Sequence, residues 1–96
     1  MDANTLSLPQ SIDISYVTEF HPQLISFLSE FTESKNDILV INASELERID
    51  TAGIQLLIAF VIEATKMNVT IQWQSISTEL ENTANELGLA QALKLN

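Results

Sequence analysis

The residues best suited to chemistry lie together in one stretch, ELERIDTAGIQLL, at positions 45–57. Asp50 and Thr51 are both common at helix starts, because their short side-chain oxygens accept hydrogen bonds from the unpaired N–H groups of a first turn. A hydroxyl at the positive end of a helix is also placed where an added phosphate would meet free N–H groups. Thr51 is therefore a candidate phosphorylation site, and a purely capping role for both residues is the alternative.

The composition excludes several other chemistries. The 96 residues include no cysteine and one histidine, which removes thiol nucleophiles, thiolate metal ligands and the usual zinc sites. Thirteen acidic against four basic residues give a formal charge of -9, which disfavours nucleic acid and anionic lipid as ligands. Phosphate-binding glycine loops, dinucleotide fingerprints and a nucleophile elbow are absent from the sequence. We therefore expect no enzymatic activity, no metal and no cofactor.

Length and hydropathy set the scale of the fold. Ninety-six residues with 46% hydrophobic side chains predict a single globular domain over residues 1–96. The first 15 residues contain neither a basic segment nor an apolar run, so we expect no signal peptide. No apolar run approaches the roughly 18 residues that span a bilayer. These features predict a cytoplasmic protein.

Apolar periodicity predicts the elements that position Thr51. In chain order they are one or two short strands before Ser15, a helix Tyr16–Glu33, a turn at Asn36 and Asp37, a strand Ile38–Ile41, an acidic loop Ser44–Asp50, a helix Thr51–Lys66, a strand Val69–Trp73 and a helix capped by Ser77 and closed by Gly88. Pro22 fits only near the start of the first helix, and we expect Ile38–Ile41 to be a central strand buried on both faces. This alternation predicts an α/β fold, a small mixed sheet of about four strands flanked by helices.

The segment Asp50-Thr51-Ala52-Gly53, followed by Leu57, resembles the D-[ST]-x-G-x-x-x-L signature of STAS domains, the sulfate transporter and anti-sigma factor antagonist family. The strand before it, the acidic connection and the "LGL" ending at residues 87–89 also resemble this family. The resemblance covers about residues 12–93 of the chain. Two features depart from its pattern. The family's G-x-x-D stretch is here QSID at residues 10–13, and threonine replaces the commoner serine, as in STAS proteins that do not act on sigma factors.

The resemblance implies that Thr51 is phosphorylated by a partner kinase of the histidine-kinase-like ATPase type. In that family the unmodified protein binds its partner and the phosphorylated form releases it. Asp50 matches the acidic residue before the acceptor, which supports docking or phosphotransfer, and Asp13 matches the aspartate of the G-x-x-D stretch. With Ala52 and Gly53, these residues form the expected docking face.

The second predicted helix carries more apolar residues than one core stripe needs. On a helical wheel, Leu56 and Phe60 lie outside the core-facing stripe that includes Ile54 and Leu57. One interpretation is a helix sunk deeply between its neighbours. The other is an exposed apolar patch of Leu56 and Phe60, with Gln55 beside it, that receives a protein partner.

Three functions are compatible with these motifs. The first is a bacterial anti-sigma factor antagonist-like regulator, switched by phosphorylation of Thr51. The second is a constitutive STAS subunit of a lipid-asymmetry ABC transporter, in which Thr51 contacts the ABC ATPase. The third is a STAS accessory protein of a chemotaxis pathway, which the IDTAG-QLL run also resembles. The association of two copies remains open.

Overall fold

The computed structural model describes residues 5–34 and 37–95, so the predicted turn residue Asn36 lies outside the described residues. The elements are β1 (Thr5–Ser7), β2 (Ser11–Ile12), α1 (Ile14–Glu33), β3 (Ile38–Asn42), β4 (Arg48–Ile49), α2 (Thr51–Lys66), β5 (Thr70–Gln74) and α3 (Thr78–Glu86). The predicted α/β class and its alternation of strands and helices are confirmed.

The strands form two separate parallel ladders rather than one sheet of about four strands. The larger sheet has the order β1-β3-β5, and β2 pairs with β4. β4 occupies two residues inside the segment predicted as an acidic loop, too few to produce a period in the sequence. Among the described strands every pairing is parallel, because a helix lies between paired strands in each case and returns the chain to the same edge.

β3 is the central strand, as predicted, but only one of its faces is closed. Leu39 and Ile41 are fully buried, whereas Ile38 is 43% exposed and Val40 is half-buried. The exposed residues of β5 are polar and alternate with the buried Ile71, so they continue the same open face. The expectation that both faces of β3 are buried was therefore wrong. One face of the sheet is open, and the polar side chains that β5 places on it can be solvated.

α1 begins at Ile14, two residues earlier than the periodicity predicted. Pro22 consequently lies in the third turn of the helix rather than near its start. A proline in that position cannot donate a hydrogen bond to the carbonyl of Thr18. Both residues are exposed, so water can satisfy this carbonyl.

α3 begins and ends as predicted. The Ser77 hydroxyl accepts a hydrogen bond from the Leu80 amide at 3.2 Å. Gly88 follows the helix with a φ of +70°, and the Leu89 amide donates to the Ala84 carbonyl at 2.8 Å. This is a Schellman ending, in which glycine adopts the left-handed conformation at least cost.

The helices pack so that the starts of α1 and α2 lie beside the β2–β4 ladder. α1 packs along α2, α2 contacts β4 and β5, and α3 contacts β4. In residues 5–34 and 37–95, no helix is long and apolar enough to cross a membrane.

Candidate functional site

Thr51 is the first residue of α2, and its side chain is exposed. Asp50 has an extended backbone and N-caps the helix, with Oδ1 accepting a hydrogen bond from the Gly53 amide at 2.9 Å. The predicted start of α2 and its cap are therefore confirmed. The hydroxyl-bearing residue stands at the positive end of a sixteen-residue helix, where a partner can reach it.

The second oxygen of Asp50 ties this helix start to another. Oδ2 accepts a hydrogen bond from the Ile14 amide at 3.0 Å, and Ile14 is the first residue of α1. One carboxylate thus satisfies an N–H group at the start of each helix, and the positive ends of both helices face the same negative charge. This double contact fixes the backbone on either side of Thr51.

Asp13 caps the adjoining helix start. Its Oδ1 accepts hydrogen bonds from the Ser15 hydroxyl at 2.6 Å and from the Ser15 and Tyr16 amides at 3.1 and 3.2 Å. The Ser15 hydroxyl, with those amides, lowers the pKa of Asp13 from its ordinary value of 3.8, although desolvation opposes the shift. Asp13 directly precedes Ile14, whose amide donates to Asp50, so the carboxylates of both residues cap the two adjoining helix starts.

Gly53 is buried and has a packing role. A Cβ atom at this position would lie 2.3 Å from the Ile12 carbonyl oxygen and 2.8 Å from Cγ1 of Ile49. The first turn of α2 therefore presses directly on the β2–β4 ladder, and only a residue without a side chain fits. Gly53 supports the predicted docking face from below and does not present a side chain on it.

The loop before α2 is held by the chain between β1 and β2. The Glu47 and Arg48 amides donate to the Gln10 carbonyl at 2.8 and 3.1 Å, and the Gln10 side-chain amide donates to the Glu47 carboxylate. Glu45 and Glu47 of this loop are exposed. Within the described ranges, no three acidic or histidine side chains are placed to hold a metal ion.

The surface around Thr51 combines acidic, polar and apolar groups. Gln55, one turn along α2, is exposed, and Ala52 is half-buried. Ile14 is 73% exposed, the largest value among the exposed apolar side chains of the described residues. Sequence reasoning missed Ile14, because the predicted helix began after it. The N-cap residue Asp13, directly before Ile14, was the signal that could have located it.

Leu56 and Phe60 are not the exposed patch that one interpretation of α2 required. They are only 7% and 6% exposed. α1 lies alongside α2 and covers the flank that a helical wheel of α2 alone leaves open. The deeply packed helix is therefore the correct interpretation, and the nearby exposed apolar side chains are those of Ile25 and Met67.

Comparison with known proteins assigns the chain to one family. A family model described as "Mlab, STAS domain" matches residues 2–95. The crystal structure of a sulfate transporter family protein from Wolinella succinogenes matches with a TM-score of 0.71 and 17% sequence identity, over 94% of this chain and 70% of that chain. At this identity the likeness concerns the fold alone. No curated protein sequence matches the chain.

Proposed function

The chain belongs to the STAS domain family, whose members have a general protein-interaction or regulatory role, and we propose that it binds a protein partner through the start of α2 and is switched by phosphorylation of Thr51. The docking face in this proposal comprises Thr51, Asp50, Asp13, Gln55 and Ile14. The chain itself is the non-catalytic member of the pair.

The observation that supports this proposal most is the fixed position of an exposed threonine. Asp50 holds the starts of α1 and α2 together, and Gly53 presses α2 onto the β2–β4 ladder. A partner therefore meets a hydroxyl on a preorganised surface and spends little free energy on ordering it.

The chemical step belongs to a partner kinase. The Thr51 oxygen attacks the γ-phosphorus of ATP, an O–P bond forms, and the bond to the β-phosphate oxygen breaks to release ADP. The threonine proton passes to a base on the kinase, which also supplies the magnesium and the nucleotide site. This chain contributes the acceptor and its placement.

Phosphorylation would then release the partner. The phosphate adds about -1.5 to -2 charges at neutral pH and a tetrahedral group where the partner packed against a hydroxyl. Burying this charged group in an interface shaped around a hydroxyl costs desolvation, and the phosphate is also repelled by Asp50 and Asp13 of the same chain.

A constitutive role is the second candidate, and one observation favours it. Asp50 already occupies N–H groups at both helix starts, so a phosphate on Thr51 gains less from them than it would at an uncapped helix. In this role Thr51 is a permanent contact to the ABC ATPase of a lipid-asymmetry transporter.

One experiment separates these functions. The tagged chain is expressed in its source organism and purified, and the bound proteins are identified. The complex is then incubated with Mg-ATP, and phosphosites are mapped by mass spectrometry. Phosphate on Thr51, absent from Thr51→Ala, supports the switch. Phosphate elsewhere, or none, contradicts it.

The identity of the bound protein then indicates the pathway. An unmodified chain bound to an ABC ATPase supports the constitutive role. A bound kinase or phosphatase supports the switch, and chemotaxis proteins indicate the third function.

A further inference from the structure

α1 and α2 enclose an apolar groove that lies apart from Thr51. This α1–α2 groove has a volume of about 400 Å³. Leu24, Leu28 and Phe60 are buried side chains that line it, whereas Ile25 and Met67 at its edges are 55% and 45% exposed. Exposed apolar side chains next to a concave apolar surface are typical of a binding groove.

The dimensions of the groove fit a short helix. Its lining runs from His21 to Ser29 on α1, and from Leu56 on α2 to Met67, the residue that follows α2. At 1.5 Å per residue these segments are about 12 and 16 Å long. A helical segment of about 8 to 11 residues spans these lengths, and the residues on one of its faces recur every three or four positions.

The charge of the chain selects among the possible occupants. Glu63 and His21 are the ionisable residues that line the groove, and the whole chain carries a formal charge of -9. A second copy brings another nine negative charges, and an anionic membrane is repelled in the same way. A cationic segment is attracted, and Glu63 offers it a carboxylate at the edge of the apolar surface.

We propose that the α1–α2 groove binds a basic amphipathic helix of a protein partner. Aliphatic side chains of that helix pack against Ile25 and Met67, and a lysine or arginine pairs with Glu63. The groove begins more than one helical turn beyond Thr51 and extends away from it along α2. This second binding surface does not depend on phosphorylation.

The test uses a fluorescein-labelled, 14-residue helical peptide of leucine and lysine, with a leucine and glutamate peptide of the same pattern as control. Ala59 is exposed and lines the groove, so Ala59→Arg obstructs the groove without disturbing the core. Ile62→Arg makes the same change of charge at an exposed position of α2 outside the groove lining. Binding is measured by fluorescence anisotropy, and circular dichroism checks that both variants fold.

We expect Ala59→Arg to weaken binding of the lysine peptide at least about tenfold and Ile62→Arg to change it by less than about twofold. Glu63→Gln should weaken it a few-fold and reduce its salt dependence. Absence of binding, equal losses in both arginine variants, or equal affinity for the glutamate peptide would overturn the proposal. Self-association that Ala59→Arg abolishes would assign the groove to a second copy instead. None of these results depends on phosphorylation of Thr51, which is tested separately.

Discussion

The starts of α2 and α3 carry the same residue in the same helical position, yet they differ in their surroundings. Thr51 and Thr78 are each the first residue of a helix, each is exposed, and each follows a short polar N-cap, Asp50 or Ser77. Within residues 5–34 and 37–95, the Ser77 side chain caps only its own helix. Asp50 caps α2 and also binds the first amide of α1.

The difference shows what turns a capped helix start into a candidate docking face. Capping alone occurs at both places and is a local property of the sequence. At α2 a second helix starts from the same carboxylate, and the helix approaches a strand too closely for any side chain. The cap of α2 thereby ties the helix to the start of a second helix, whereas the cap of α3 binds an amide of its own helix.

The largest effect on stability is expected from Gly53→Ala. The new methyl group would meet the Ile12 carbonyl oxygen, a backbone atom that no change of rotamer can move. Overpacking of this kind costs about 3 kcal/mol, more than the ~1 kcal/mol by which alanine favours a helix over glycine. Urea denaturation should show this loss in the free energy of unfolding.

Gly88→Ala is the matched control at the end of α3. Gly88 has open space around its Cα but a φ of +70°, so alanine there costs only about 1 kcal/mol from backbone strain. If Gly53→Ala is as stable as the original chain, the close approach of α2 to the β2–β4 ladder is wrong.

Removal of the two caps should give unequal losses. Asp50→Ala removes acceptors from two helix starts, and we expect it to lower the free energy of unfolding by about 2 kcal/mol. Ser77→Ala removes one acceptor and should cost about 1 kcal/mol. Amide exchange should accelerate at Ile14 in Asp50→Ala and not in Ser77→Ala. Equal losses, with an unchanged rate at Ile14, would contradict the shared carboxylate.

A smaller effect is expected from pH, through Asp13. Because its pKa is lowered in the folded chain, chiefly by the Ser15 hydroxyl, the ionised carboxylate stabilises the fold above its ordinary pKa of 3.8. This contribution is lost as the pH falls through the lowered value. Asp13→Asn should therefore be less stable than the original chain at neutral pH, with a difference that narrows in acid. Thermal melts across this range measure it, and a difference independent of pH would contradict the assignment.

Features encoded by neighbouring residues were predictable from the sequence. The bounds of α2, Thr51–Lys66, follow from the Asp50 cap and the apolar period, and the end of α3 follows from Gly88. α1 was predicted to start late because the apolar period alone was used and the cap at Asp13 was not recognised. Local signals therefore predict that a helix is present. The position of its first turn is predicted correctly only when the capping residue is recognised.

Features created by distant contacts were not predictable. β4 exists because Ile49 pairs with Ile12, residues far apart in the chain. The burial of Leu56 and Phe60 depends on the position of α1. The apolar periodicity of α2 carries no information about that position. The contact of Asp50 with Ile14 likewise joins two helices that no single motif connects.

The most direct test of the proposed docking face compares the two threonines. Three tagged proteins are expressed in the source organism and purified: the original chain, Thr51→Glu and Thr78→Glu. The partner bound to each is quantified by mass spectrometry. Thr51→Glu should retain at least about tenfold less partner, whereas Thr78→Glu should stay within about twofold of the original chain. Equal retention by both variants would contradict the assignment of partner binding to the start of α2.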